Sequence, residues 1–233
     1  MKLCVLGIEG VPVGKRNIKD PRLDEAHALE KADKKTHAQV DIVGDDDLLT
    51  SDGILVAKDL AFDLIFRDLE LIETRLGRGP SDTESRALEK LRAHLEDERP
   101  IATAGLSPEE RAALSGVTFT TGRPMLVAAP VDLEDLDALF VRAFLASGYI
   151  SFFTVGGKED RAWPIPRGTT AWEAAGAIHT DMQKGFIRAE VVSFQDFVAA
   201  GGETGAKRAG KQRLETKQYV VQDCDVVSFR FNR

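Results

Sequence analysis

The chain has 233 residues, of which 43% are hydrophobic and 30% charged, a composition typical of globular proteins. Its apolar runs are far shorter than the ~20 residues that a membrane-spanning helix needs. Cys4 and Cys224 are too few for a disulfide framework, and no Cys or His pair has the spacing of zinc ligands. No signal peptide is recognisable at the N-terminus. These features predict a cytoplasmic protein with no membrane partner and no metal site.

Charge is distributed unevenly along the chain. Residues 1–150 contain 19 Lys and Arg against 28 Asp and Glu, whereas residues 151–233 contain 12 against 10. The formal net charge of −7 therefore combines an acidic body with a weakly basic C-terminal part. This pattern argues against nucleic-acid binding over the whole surface but allows a local RNA contact in the last third. It also favours two domains.

Short elements are predicted before residue 60. Apolar residues at 2–6 and 39–43 predict two strands. Between them, glycines and prolines predict a loop over residues 7–24, and a helical turn is expected at 27–31.

Helical periodicity begins near residue 59. An apolar residue recurs every three or four positions, which predicts a helix with one apolar face made of Phe62, Ile65, Leu69, Ile72 and Leu76. A Gly/Pro turn ends this helix, and Ser81 begins a second helix with Leu88, Leu91 and Leu95 on one face. The pattern predicts an antiparallel helical hairpin over residues 59–98. A further helix start is predicted at Ser107.

The C-terminal part alternates short strands with glycine. A strand is expected at 125–129, followed by a helix that Asp132 caps and that buries Leu133. Beyond residue 149, strands are predicted at 150–155, 161–165, 187–192, 219–221 and 226–231. One helix at 170–179 would pack through Trp172, Ala175 and Ile178. Such a set of elements predicts a compact α+β domain.

The C-terminal stretch resembles the TGS domain of the YchF family, the Obg-like ATPases, over residues 149–233. The resemblance lies in FFTVG at 152–156, RAW at 161–163, AAGAIHTD at 174–181, KGFIRAE at 184–190, YVVQD at 219–223 and FRFN at 229–232. It implies a ubiquitin-like β-grasp fold and contact with RNA or the ribosome.

Residues further upstream also resemble the family. LELIETRL at 69–76 and LSPEE at 106–110 resemble the two ends of its helical insertion, and DPRLD at 20–24 resembles its first nucleotide switch. The implied fold class is α+β. A remnant α/β P-loop-type domain with the helical hairpin covers 1–148, and the β-grasp domain covers 149–233.

The family's P-loop is not matched in this sequence. A P-loop needs glycine, four residues, then Gly-Lys and Ser or Thr, because backbone N–H groups surround the phosphates and the hydroxyl binds Mg²⁺. The Gly-Lys pair in the N-terminal part is Gly14-Lys15, but Glu9 stands at the first glycine position and Arg16 at the hydroxyl position. We therefore expect no catalytic residues and no bound nucleotide cofactor.

Two other nucleotide motifs are incomplete. Asp41 and Gly44 have the Asp-x-x-Gly form and are vestigial nucleotide-binding candidates, although Asp41 at a strand end without a metal is the simpler interpretation. The base-reading asparagine of the family falls on Ala129. Binding of ATP or GTP with Mg²⁺ remains the alternative.

Cations in the C-terminal part are the candidate RNA or ribosome contacts. They are Lys184, Arg188, Lys207, Arg208, Lys211 and Arg213, with Phe186 as a stacking residue. A solvated charged face is an equally good interpretation of the same residues. No nucleophile signature accompanies the four histidines, and His94 is expected to face solvent.

Three functions follow from these features. The leading hypothesis is a non-hydrolysing factor that associates with the ribosome or RNA through the TGS domain. The second is a nucleotide-binding protein with residual NTPase activity. The third is a scaffold that binds a protein partner through the helical hairpin.

Overall fold

The computed structural model describes residues 1–232 and divides into two compact units. Unit 1 comprises Met1–Arg16 and Val40–Ser147. Unit 2 comprises Asn17–Gln39 and the described residues from Gly148 onward. The chain therefore passes into unit 2 after Arg16, returns to unit 1 at Val40 and enters unit 2 again at Gly148.

The strands of the described chain are short. They are β1 (Lys2–Leu6), β2 (Gly14–Ile18), β3 (Lys34–Thr36), β4 (Ala38–Val43), β5 (Gly53–Ala57), β6 (Met125–Ala128), β7 (Tyr149–Thr154), β8 (Glu159–Pro166), β9 (Phe186–Val192), β10 (Arg213–Glu215) and β11 (Val226–Phe231).

The helices vary more in length. They are α1 (Pro21–Glu30), α2 (Lys58–Leu76), α3 (Asp82–Glu96), α4 (Pro108–Ala113), α5 (Leu136–Ala146), α6 (Ala171–Ile178), α7 (Thr180–Lys184), α8 (Phe194–Ala199) and α9 (Glu203–Arg208). Short 3-10 helices occur at Asp45–Thr50, Ile101–Thr103 and Pro130–Glu134. No helix within residues 1–232 is long and apolar enough to cross a membrane.

The first sheet has the strand order β2-β4-β1-β5-β6. Strand β1 lies between β4 and β5 and is parallel to both, and β6 continues the parallel set beside β5. Leu3, Cys4 and Val56 are completely buried, as expected for parallel strands covered on both faces. The order places the carboxyl ends of β1, β4 and β5 at one edge of the sheet.

Helices α2 and α3 pack on each other through a separate apolar cluster. Its fully buried members include Ile72, Leu88 and Leu91. Phe62 was predicted to lie on this packed face but is 48% exposed. Ile65, which the pattern also placed on this face, is buried there. Nearer the start of α2 the buried positions are Ala61 and Leu64, because that end of the helix packs against strands β5 and β6.

His94 was predicted to face solvent, and that prediction is wrong. The residue is buried in α3, and its Nε2 lies 2.8 Å from the hydroxyl oxygen of Thr103. The chain following α3 folds back over this face of the helix, so a position in a charged stretch becomes enclosed.

Asp68 joins α2 to the segment before β6. Its carboxylate is 1% exposed and accepts hydrogen bonds from the backbone N–H groups of Thr120 (2.8 Å) and Thr121 (2.7 Å) and from the Thr121 hydroxyl (2.7 Å). These bonds satisfy a buried charge in the middle of an otherwise apolar helix face.

Helix α5 starts later than the sequence pattern predicts. Asp135, not Asp132, caps it by accepting a hydrogen bond from the N–H of Ala138. Asp132 lies in the preceding 3-10 helix and accepts from the N–H of Ala129. Leu133, predicted to be buried, is 42% exposed because the 3-10 helix changes the direction of its side chain.

The second sheet belongs to unit 2 and has the order β10-β9-β11-β7-β8-β3. Its central strands β7 and β11 are parallel, and β8 and β9 flank them in antiparallel orientation. Ala171, Ala174 and Ala175 of α6 pack on the sheet. Trp172, predicted to be buried, is 43% exposed, because the small alanines make the close contact.

Residues 17–39 differ most from the sequence prediction. The expected loop over 7–24 contains β2 and the start of α1, which Asp20 caps by accepting a hydrogen bond from the N–H of Arg22. Strand β3 then pairs in parallel with β8. This segment therefore belongs structurally to unit 2, whereas its sequence position suggested the N-terminal domain.

Candidate functional site

The turn after β1 occupies the sheet edge where parallel α/β folds bind ligands. Gly7 follows β1 with φ of 69°, and a Cβ atom there would lie 2.7 Å from Cδ1 of Leu60. Leu60 in the first turn of α2 thus fills the space beside the turn. The chain then continues into strand β2 rather than into a helix.

A small cavity of about 190 Å³ lies at the same sheet edge. Its lining combines apolar side chains with two carboxylates and is formed by Leu6, Asp45, Leu60, Asp63, Leu64 and Arg67. Arg67 is paired with Asp45 at 3.5 Å. The cavity therefore presents two carboxylates and one arginine that is already ion-paired. This balance of charge opposes the binding of a polyphosphate.

Arg16 is engaged within unit 1. Its Nη2 lies 3.3 Å from Oδ1 of Asp137, and its guanidinium carbon lies 4.1 Å from the ring centroid of Phe140. The side chain at the hydroxyl position of a P-loop therefore packs on α5.

The sequence contains a P-loop-like spacing that the strict pattern misses. Gly10 precedes Gly14 by four positions, so the stretch Gly10 to Lys15 is one residue shorter than a P-loop. A search that tolerated a one-residue deletion would have found it. Gly10 and Gly14 both have positive φ, at 74° and 126°.

Asp41 and Gly44 lie on β4 and just after it. Asp41 is exposed and pairs in register with Lys2, at the amino end of β1. The Gly44 carbonyl accepts a hydrogen bond from the Cys4 thiol at 3.4 Å. Asp41 therefore lies away from the turn that begins at Gly7, whereas Gly44 directly precedes Asp45, which lines the cavity at that edge.

Ala129 directly follows β6 and forms part of the turn before α5. Its N–H donates to the Asp132 carboxylate at 2.8 Å, and Arg142 also binds that carboxylate. The backbone N–H, followed by Arg142, holds the pKa of Asp132 below its usual range. These contacts fix the entry into α5.

The predicted RNA contacts form two groups in unit 2. The first group lies at the start of β9 and consists of Lys184, Phe186 and Arg188. Lys184 and Arg188 have no ion-pair partner among the described residues, and Arg188 is exposed. Phe186 packs at 6.0 Å on the ring of Phe229 in the core, so its ring is engaged in packing.

The second group lies in α9 and at the start of β10, where Arg213 pairs in register with Val191 of β9. Lys207 pairs with Glu203 at 3.0 Å, and Lys211 pairs with Asp196 at 3.0 Å. Arg213 donates to Glu215 and to the Tyr219 hydroxyl, whereas exposed Arg208 has no ion-pair partner within residues 1–232. Three of these four cations are therefore neutralised by acidic residues close to them in the fold.

Arg230 is a cation that sequence reasoning missed. It pairs across strands with Arg188, and both are exposed on the sheet face opposite the core. Arg230 forms an ion pair with Glu190. The alternation of apolar and polar residues in the sequence of β11 was the signal that could have identified it.

Arg22 ties the segment 17–39 to the C-terminal part of unit 2. Its guanidinium binds Asp20 at 2.6 Å and Asp223 at 2.7 Å. His27 lies 2.7 Å from the completely buried Asp160. No cluster of three metal-ligating side chains occurs among the described residues.

Comparison with solved structures defines the class of fold. The YchF GTPase of Schizosaccharomyces pombe superposes with a TM-score of 0.75 at 18% identity, over 99% of this chain and 97% of that chain. A GTP-binding protein from Pyrococcus horikoshii OT3 superposes with a TM-score of 0.50 at 13% identity over both complete chains. The chain has the mixed α/β fold of these GTP-binding proteins.

Sequence comparison identifies the family. A family model named YchF-GTPase_C, described as a protein of unknown function (DUF933), matches residues 149–232. The ribosome-binding ATPase YchF of Buchnera aphidicola subsp. Acyrthosiphon pisum is 30% identical over 89% of this chain and 72% of its own length. The Bacillus subtilis protein of the same name is 36% identical over 91% of this chain, which spans about half (54%) of that relative. The chain belongs to the YchF family.

Proposed function

We propose that this chain is a ribosome-associated member of the YchF family that contacts RNA through unit 2 and does not hydrolyse nucleotide. Relatives that match most of the chain are named ribosome-binding ATPases, which supports the ribosomal partner and a cytoplasmic location. Arg188 and Arg208, which are exposed and have no ion-pair partner within residues 1–232, are the groups that would meet RNA phosphates.

The proposal treats residues 149–233 as a TGS-like β-grasp domain. Support comes from the parallel pairing of β7 with β11, the first and last strands of this region, with α6 packed on the sheet. Unit 1 is then a degenerate nucleotide domain that includes the helical hairpin at 59–98.

One structural observation supports the proposed absence of nucleotide hydrolysis. Leu60 fills the space beside Gly7, and β2 follows where a phosphate-binding turn needs a helix. Phosphate sites of this kind depend on the N–H groups and dipole at a helix N-terminus, and a strand supplies neither. The acidic lining from Asp45 and Asp63 adds to the same effect.

Residual nucleotide binding is the second candidate function. The names of the relatives and the shortened glycine spacing from Gly10 to Lys15 favour it. A scaffold role for the helical hairpin is a third, and the exposed rings of Phe62 and Phe66 on α2 favour it.

Ribosome co-sedimentation tests the proposal. The test variant combines Lys184→Glu, Arg188→Glu and Arg208→Glu, which reverse cations of unit 2 that have no ion-pair partner in the described part of the chain. The control combines Arg78→Glu and Arg111→Glu, two exposed cations of unit 1 without ion pairs among the described residues. We expect the test variant to leave the ribosomal pellet while the control stays in it.

The opposite outcomes are equally informative. Loss of only the control variant from the pellet would assign the contact to unit 1. Equal retention of both variants would contradict a contact through the unit 2 cations.

A further inference from the structure

A polar cavity of about 330 Å³ lies wholly within unit 2. It is bounded by the start of α8, the start of β10 and the turn before β11, through side chains that include Ser193, Gln195, Arg213, Tyr219 and Gln222. Of the predicted RNA contacts only Arg213 lines it. Its volume lies at the lower end of the range of small-ligand sites.

The walls of this cavity are fixed by internal hydrogen bonds. The Tyr219 hydroxyl donates to the Asp225 carboxylate at 2.7 Å, and the N–H of Gln222 donates to the same oxygen at 2.9 Å. Arg213 donates to the Tyr219 hydroxyl at 3.2 Å. Burial, followed by the contact with Asp225, raises the pKa of Tyr219 to about 12, so the phenol remains protonated.

The charges around the cavity disfavour an anionic ligand. Arg22 already binds the carboxylates of Asp20 and Asp223, and Arg213 binds that of Glu215. The cavity is also lined by Asp223 and Asp225. A phosphate or carboxylate placed there would meet two acidic residues and no unpaired arginine. A neutral polar ligand fits better.

Two glutamine side chains at the cavity have free hydrogen-bonding groups. The amide of Gln195 is exposed and has no hydrogen-bond partner within residues 1–232. The Gln222 side chain donates through Nε2 to the Val220 carbonyl, which leaves its Oε1 free to accept. Amide groups of this kind pair with the donor and acceptor edge of a nucleobase.

Two planar side chains, Arg213 and Tyr219, also line the cavity. The guanidinium carbon of Arg213 is 5.9 Å from the ring centroid of Tyr219, and its Nη2 donates to the Tyr219 hydroxyl. Bases stack on aromatic rings and on arginine planes in single-stranded RNA complexes.

We propose that this cavity binds one unpaired nucleobase of an RNA strand, an inference that rests on the proposed RNA contact of unit 2. Arg208, exposed in α9 and without an ion-pair partner within residues 1–232, is the cation that contacts a phosphate flanking that base. The cavity supplies recognition of the base, and the cation supplies attraction for the backbone.

Fluorescence anisotropy with three labelled RNA 12-mers tests this site. The probes are oligouridylate, oligoadenylate and an abasic 12-mer that has the same number of phosphates. We expect at least one base-containing probe to bind about tenfold more tightly than the abasic probe. Gln195→Ala combined with Gln222→Ala should abolish that difference and leave abasic binding unchanged. Gln39→Ala, an exposed glutamine of unit 2 away from the cavity, is the matched control.

Each other outcome has one interpretation. Equal binding of all three probes would overturn the base site and leave the RNA contact standing. Failure of every probe to bind would overturn both. Free UMP or AMP that competes as strongly as the 12-mers would overturn the assignment to RNA. If Gln222→Ala lowers the melting temperature, the exposed Gln195→Ala alone must lose the base-dependent difference for the proposal to stand.

Discussion

The guanidinium of Arg16 lies over the ring of Phe140, 124 positions later in the sequence, with 4.1 Å between its central carbon and the ring centroid. A second contact joins Arg16 to Asp137 at 3.3 Å. Both partners lie on α5. The side chain at the position of the P-loop hydroxyl therefore stabilises the packing of α5 within unit 1.

Replacing this arginine tests its structural role. We expect Arg16→Ser to lower the free energy of unfolding by about 1–2 kcal/mol, because it loses a cation–π contact and a partly buried ion pair. It should create no nucleotide binding. Urea unfolding is the measurement, with Lys15→Ser as the control, since Lys15 is exposed and has no ion pair in the described chain. Equal effects of the two changes would contradict the packing role of Arg16.

Asp68 should be one of the most sensitive positions of unit 1. Asp68→Ala leaves the buried N–H groups of Thr120 and Thr121 without acceptors. We expect the free energy of unfolding to fall by about 3 kcal/mol, since each unsatisfied buried group costs about 1–3 kcal/mol. Thermal or urea unfolding measures the loss. Asp63→Ala, exposed on the same helix, should cost less than about 0.5 kcal/mol.

The two helices of the hairpin give a second stability contrast. Leu91 is completely buried in the cluster between α2 and α3, so Leu91→Ala should cost about 2–5 kcal/mol. Phe62 is predicted from sequence to be equally important, but it is 48% exposed. Phe62→Ala should therefore cost clearly less than Leu91→Ala in the same unfolding assay. The reverse order would contradict the observed packing of α2.

Asp225 should make stability depend on pH. Burial raises the pKa of its carboxyl above the usual value, although hydrogen bonds from Tyr219 and Gln222 act in the opposite direction. The folded protein therefore retains this proton to higher pH than the unfolded chain does. The contribution of Asp225 is fully present below about pH 4, the ordinary aspartate pKa, and is lost as pH rises through the raised pKa.

Comparison with an amide variant isolates this contribution. Asp225→Asn keeps an acceptor for the Tyr219 hydroxyl but cannot titrate. The difference in unfolding free energy between wild type and variant should fall as pH rises from about 4 through the raised pKa. A difference that stays constant or grows over this interval would show that the pKa is not raised.

Local signals explain which elements could be predicted from sequence. Ser81, Ser107 and Thr170 each cap a helix where the sequence pattern placed one, because a cap and its partner are only three residues apart. Strand β2 was not predicted, since Gly14 and its neighbours have turn composition and only sheet pairing makes them extended.

Long-range contacts explain the features that could not be predicted from the sequence. His94 is buried by a chain segment that follows its helix, and the aspartate that binds Arg22 lies 201 residues away. The sequence could identify the cations of unit 2, but not which of them are neutralised. Lys211 and its partner Asp196 meet only once α8 and the start of β10 are packed together.

Titration calorimetry with millimolar Mg-ATP and Mg-GTP, combined with a phosphate-release assay, tests the central claim most directly. We predict no saturable heat with either nucleotide and phosphate release equal to the control without protein. Leu60 fills the space beside the Gly7 turn, and Asp45 and Asp63 repel phosphate. Binding tighter than about 10 μM, or about −7 kcal/mol, together with release above the control, would contradict the account and favour an active nucleotide hydrolase.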